Sequence, residues 1–208
     1  MDIYREKPVI FIFLLGLFFS FYLFSPEYLS GQQVVNVTAT VATSITCTVS
    51  TSTTAFGTID TSNVFTSIPN VTTTISCNPA SGCTLSVRDQ GDGTNGGLYK
   101  STSPTYLIPS PAASFPATAN LSAGTEGYGI QAATTTAGSG STLSLNSRYN
   151  HSFSGNTVGG LTTTTIPLAS SSAPTANREV VVSHKAAVSG LTPAGSYSDT
   201  ITYSCISN

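Results

Sequence analysis

Charge is scarce in this 208-residue chain, where only 8% of the residues are Asp, Glu, Lys or Arg. Beyond the first 31 positions, five basic residues (Arg88, Lys100, Arg148, Arg178, Lys185) stand against six acidic ones (Asp60, Asp89, Asp92, Glu126, Glu179, Asp199). Surfaces that bind nucleic acid or anionic membrane need clustered cations, so this balance argues against both. Tryptophan is absent, and histidine occurs only at 151 and 184. His184 shares parity with Val180, Val182, Ala186 and Val188, which makes it a core-edge residue. His151 lies beside Ser152 and Ser154 without a Gly-x-Ser-x-Gly elbow or a partnered carboxylate, so no enzyme is expected. Cys-x-x-Cys pairs and cysteine-histidine clusters with ligand spacing are also missing, which leaves no zinc site and no cofactor to expect. Helix-period segments do not occur beyond the N-terminus, which excludes a parallel sheet built on helical crossovers.

What remains is rich in Thr, Ser, Gly and Pro, with short alternating segments between turn-forming clusters. The expected fold is all-β, an antiparallel β-sandwich in one domain over 32–208. Strands are expected at 34–49, 70–78, 83–88, 106–109, 128–133, 142–145, 162–168, 178–188 and 196–206. Gly, Ser, Asn and Pro mark 89–97, 134–141, 154–160 and 169–177 as loops, and 103–127 reads as one long irregular decoration.

The two ends of this region carry the clearest patterns. Val35, Val37, Ala39, Val41, Thr43, Ile45, Cys47 and Val49 share one parity, while polar residues and Ala42 fill the other. Ordinary strands run about 5 to 6 residues, so this alternation is expected to cover two strand positions, or one strand plus an extension free to pair elsewhere. At the other end, Tyr197, Ile201, Tyr203 and Cys205 face one way and Ser198, Thr200, Thr202 and Ser204 the other, behind a Pro193-Ala194-Gly195 turn. A sheet whose last alternation stops at Asn208 is expected to lack a closing strand.

Residues 1–31 read as a signal peptide or N-terminal membrane anchor, with Arg5 and Lys7 ahead of an apolar run from Pro8 to Phe24 that Pro26 breaks. Small residues at Ser30 and Gly31 favour cleavage there; either way the chain from Gln32 onward is exported, to the cell surface or the medium. Export and an even count make disulfides the expected state of Cys47, Cys77, Cys83 and Cys205. All four share the apolar parity of their strands, so the sulfurs point inward. Cys47 with Cys77 and Cys83 with Cys205 is the first choice, Cys47 with Cys205 and Cys77 with Cys83 the second, and spacing does not decide between them.

Two weaker signals have bland readings. Asp89, Asp92 and Asn95 give a calcium-like loop, but its twelfth position is Lys100 where an EF-hand needs glutamate, and a plain hairpin loop is preferred. Tyr99, Tyr106, Tyr128 and Tyr149 lie near loops, where they would meet a ligand or, more commonly, cover the ends of a sandwich core.

The motifs Val37-Thr38-Ala39-Thr40-Val41, Cys47-Thr48-Val49-Ser50, Ala55-Phe56-Gly57, Thr74-Ile75-Ser76-Cys77 and Pro193-Ala194-Gly195-Ser196-Tyr197-Ser198-Asp199-Thr200-Ile201-Thr202-Tyr203 follow one another in order. Together they resemble the spore coat protein U domain, which is similar to the pilin subunits of archaic chaperone-usher pili. The resemblance implies an incomplete immunoglobulin-like sandwich, completed by a strand that the next subunit donates. It places Gln32 to Val41 in the donor position, with Val35, Val37, Ala39 and Val41 filling the acceptor groove, and it pairs Cys47 with Cys77. It further implies partners that are like subunits joined by strand exchange, handled by a periplasmic chaperone. Cys83 and Cys205 depart from the pattern, and a second bridge there would hold the last strand in a self-contained fold. The corresponding alternative function is a membrane-tethered, monomeric, adhesin-like binding module.

Overall fold

The computed structural model describes residues 31–111 and 117–208, so the export segment lies outside the described residues except for Gly31. One compact unit runs from Ala42 to Asn208, and a separate unit ends at Val41. In the latter, residues 31–41 carry no regular secondary structure.

Among the described residues the fold is all-β, without helix, as composition and period led one to expect. Fourteen strands occur in chain order: β1 (Ile45–Val49), β2 (Phe65–Thr66), β3 (Val71–Cys77), β4 (Cys83–Asp89), β5 (Gly97–Lys100), β6 (Tyr106–Pro109) and β7 (Thr118–Asn120). They continue with β8 (Gly127–Thr134), β9 (Ser139–Gly140), β10 (Ser144–Leu145), β11 (Thr157–Gly159), β12 (Ile166–Ser170), β13 (Thr175–Ala187) and β14 (Ile201–Ser207). The larger sheet has the order β1-β3-β13-β8-β11-β7, with β2 and β9 pairing along the long β13; the smaller has the order β10-β12-β4-β14. A β5-β6 hairpin forms the third, two-stranded sheet.

Period-two alternation builds the core. Val71, Thr73, Ile75 and Cys77 of β3, Tyr128, Ile130 and Ala132 of β8, and Val180, Val182, His184 and Ala186 of β13 turn inward from the larger sheet. Cys83, Leu85 and Val87 of β4 and Leu168 of β12 meet them from the smaller one. Ile75, Leu85, Ile130 and Leu168 are completely buried. An Ile75→Ala substitution should therefore lower stability by about 2–5 kcal/mol, transfer and cavity terms combined, read from chemical denaturation.

The strand expectations needed correction where no partner or an unforeseen one was present. The alternation at 34–49 forms a strand only over Ile45–Val49, and residues 31–44 carry none. Alternation marks which residues share a face, but a strand exists only where a second backbone completes its ladder. Conversely, β9 and β11 lie within stretches read as loops, and β7 interrupts the stretch 103–127, where only β6 was expected at 106–109 and of which 112–116 lies outside the described residues. The short β11 becomes a strand because β7 and β8 supply ladders on its two sides. The last strand begins at Ile201 rather than Ser196; before it there is one isolated bridge, Tyr99 with Ser198.

Candidate functional site

Strands β1 and β14 each pair on one side only among the described residues. The register from Ile45↔Cys77 to Val49↔Thr73 continues into the bonds from Ser50 N to Thr72 O (2.8 Å) and Asn78 N to Ser44 O (3.1 Å). Even-numbered residues of this segment therefore bond to β3, and the amides and carbonyls of Ile45, Cys47 and Val49 point away from it. In β14 the flanking bonds run from Gln90 N to Thr200 O (3.0 Å) and from Asn208 N to Gly82 O (3.2 Å). Even residues again bond inward, to β4, leaving the backbone groups of Ile201, Tyr203, Cys205 and Ser207 on the open edge.

Side chains along these edges are apolar and incompletely covered. Ile45, Cys47, Ile201, Tyr203 and Cys205 are half-buried against the core, and Val49 is 44% exposed. Tyr203 Oη has no hydrogen-bond partner, and burial pushes its phenol well above the ordinary tyrosine range. A covered hydroxyl without a partner is uncommon in a finished core. The segment assigned as donor is described separately: Val35, Val37 and Val41 are 81%, 89% and 84% exposed, and Ala39 is exposed as well.

The disulfides are Cys47–Cys205 and Cys77–Cys83, with Cα–Cα distances of 6.0 and 6.4 Å. This corrects the first-choice pairing and the Cys47–Cys77 bridge implied by the family resemblance. Register supplies the reason: Cys47 stands opposite Ile75 and Cys205 opposite Leu85, so Cys77 and Cys83 are only diagonal neighbours of each. Diagonal Cα atoms lie about 7–8 Å apart, beyond comfortable disulfide reach. The inward-facing sulfurs instead join one sheet to the other. Between Cys77 and Cys83 the turn is tight: Gly82 has φ +80°, and a Cβ there would lie 2.3 Å from Ser171 O.

A polar cluster adjoins the start of β14. Asp89 is fully buried and accepts a hydrogen bond from Gly97 N at 2.9 Å. Asp199 accepts from Gly91 N (3.1 Å), Thr200 N (2.7 Å) and Tyr128 Oη (3.2 Å). The Asp89 carboxyl also faces Asp199, and two ionised carboxylates offer no donor between them; Asp89 Oδ1 is unpartnered unless a proton is shared. Burial first, then the Asp199 hydrogen bond and charge, push Asp89 up to about 8. His184 is buried, lies stacked 6.5 Å from the Tyr128 ring, and has Nδ1 3.4 Å from Ser67 Oγ. Burial lowers its pKa to about 4, so it is neutral at physiological pH.

The other expected site residues do not converge. Asp89 turns into the core, while Asp92 accepts the Thr94 and Asn95 amides at 2.8 and 2.6 Å, a closed turn that explains its lowered pKa. Asp89, Asp92 and Asn95 are thus divided between core and turn. His151 Nε2 lies 3.0 Å from Arg148 O. Tyr128 and Tyr149 are buried, and only Tyr99 and Tyr106 reach the surface in part. A depression of about 430 Å³ over Thr46, Ser76, Asn78 and Thr175 has no ionisable side chain in its lining.

The Asp89–Asp199 pair escaped sequence reading although a signal was present. Both carboxylates sit on the apolar parity of their segments, Asp89 with Leu85 and Val87, Asp199 with Tyr197 and Ile201. Charged groups at such positions are buried and need partners.

No family model, curated protein or solved structure matches this chain. The likeness to the spore coat protein U domain accordingly rests on the motifs themselves.

Proposed function

We propose that this chain is an exported structural subunit of a bacterial surface appendage or coat, and that it assembles by strand donation between copies. The observation that carries this reading is the open edge of β14, with outward backbone groups at Ile201, Tyr203, Cys205 and Ser207 beside half-covered apolar side chains. In this reading the sandwich is immunoglobulin-like and incomplete. Gln32 to Val41 of a neighbouring copy supplies the ladder, and Val35, Val37, Ala39 and Val41 cover the apolar strip. Backbone bonds give affinity and the alternate side chains give register; no catalytic group takes part. A periplasmic chaperone of the strand-adding kind would protect the same edge before assembly.

Deletion of residues 32–41 should leave a folded subunit, with an unchanged far-ultraviolet dichroism spectrum, that no longer forms heat-resistant ladders on non-denaturing gels. Ladders persisting in the deletion variant would sink the proposal.

One observation favours the second reading, a membrane-tethered binding module. The Cys47–Cys205 bridge ties the first strand of the compact unit to its last. The two readings separate on the intact mass of protein recovered from its native surface: a chain beginning near Gln32 and present in multimers supports the subunit, a full-length monomer the module.

A further inference from the structure

We propose that the Cys47–Cys205 disulfide is a lock on the slot between β1 and β14, so that this bridge and a strand inserted between the two edges exclude one another. The inference rests on the strand-donation reading and adds to it the condition under which the edge is open.

Width sets the exclusion. Strands in a ladder lie about 4.8 Å apart, so a strand lying between two others needs their backbones separated by about 9.5 Å. The Cα atoms of Cys47 and Cys205 are 6.0 Å apart. No disulfide spans much more than about 7 Å between Cα atoms, so widening the slot to admit a strand requires this bond to be open. Position makes the block effective: Cys47 is the middle residue of β1, and Cys205 is one of the four β14 residues whose backbone groups face the open edge. A donor running along β1 within the slot cannot avoid that level.

The two bridges also differ in access. Cys77 and Cys83 are 5% and 0% exposed, whereas Cys47 and Cys205 are half-buried at the edge. A dithiol reductant therefore meets the lock first. Its thiolate attacks one sulfur of the bridge to give a mixed disulfide, which its second thiol resolves. Two electrons and two protons pass to Cys47 and Cys205, which end as thiols, and the reductant leaves as its own disulfide. The slot then accepts residues 32–41 of another copy. Before the bridge has first closed, the same segment enters without any reductant, and its presence keeps the two thiols apart.

The test uses the full chain, a labelled peptide of residues 32–41 in excess, and dithiothreitol at a concentration that leaves the native dichroism spectrum intact. Alkylation after this treatment should add two groups per chain, mapped to Cys47 and Cys205. The reduced protein and the C47A/C205A variant should retain the peptide with an affinity higher than that of the oxidised protein by on the order of tenfold or more. Equal binding by oxidised and reduced protein overturns the lock and leaves strand donation standing. Peptide binding by neither form, with both folded, overturns strand donation and the lock with it. Should C47A/C205A fail to fold, thiol mapping of native multimers decides: alkylatable Cys47 and Cys205 support the lock, and a bridged pair in the multimer overturns it.

Discussion

Replacing Asp89 with Asn is expected to abolish the loss of stability that the wild-type protein shows above about pH 6.5. The wild-type Asp89 holds its proton up to about 8, against 3.8 when unfolded. Between those values the folded state binds one proton more than the unfolded state, and stability falls as pH rises. His184 acts in the opposite sense, since its pKa drops from 6.5 to about 4 on folding. Its contribution is present above 6.5 and disappears as pH falls toward 4. From about pH 4 to 6.5 the two slopes cancel. Above 6.5 only Asp89 remains, and about 2 kcal/mol should be lost by pH 8, at 1.36 kcal/mol per pH unit.

In D89N the amide keeps the geometry of the protonated acid. Its oxygen accepts from Gly97 N, and its NH₂ donates to Asp199 in place of the shared proton. The variant's profile should then follow His184 alone, rising by about 3 kcal/mol from pH 4 to 6.5 and level thereafter. Urea unfolding at half-unit pH intervals measures both curves. A wild-type profile that stays level through pH 8 would show that Asp89 is ionised in the native protein and that the pair is not proton-linked.

The second large effect separates the two disulfides. With Cys77 and Cys83 replaced by Ala, reduction of the remaining Cys47–Cys205 bridge releases a loop of 158 residues and should remove about 5 kcal/mol. With Cys47 and Cys205 replaced instead, reduction of Cys77–Cys83 releases a loop of 6 residues and should remove about 2 kcal/mol. Comparing oxidised with reduced protein within each variant cancels the packing lost by the substitutions. Denaturant midpoints with a common m-value give the answer. Equal losses would mean that the long bridge constrains an unfolded chain that is already compact.

The size of the first loss bears on assembly. Opening the long bridge forfeits roughly 5 kcal/mol, and full burial of a valine contributes about 1.5–3 kcal/mol. Val35, Val37 and Val41, which stand exposed, are enough to offset the loss if a neighbouring copy covers all three. A subunit that exchanges the bridge for a strand is thus expected to keep about the same stability against unfolding.

Much of the fold was legible in local pattern. The parities of 71–77, 83–89 and 201–207 marked the inward faces, because a strand's side chains alternate whatever its partner. Neither the pairing of the cysteines nor the burial of Asp89 against Asp199 could be read in that way. All four sulfurs share an inward parity, so parity alone allows three connectivities. Register and sheet membership, which arise from contacts between residues far apart in sequence, select one.

The sequence by itself determined the all-β class, the inward and outward faces and the scarcity of charge. These follow from composition and from a period of two, quantities defined along the chain. Only the tertiary structure decided that 31–44 forms no strand while 157–159 does, that the buried Asp89 carboxyl meets the half-buried Asp199, and that a disulfide with Cα atoms 6.0 Å apart joins the first strand to the last. Each of these depends on which backbone or side chain arrives from elsewhere to complete a ladder, share a proton or form a bond, and nothing local to either partner specifies the other.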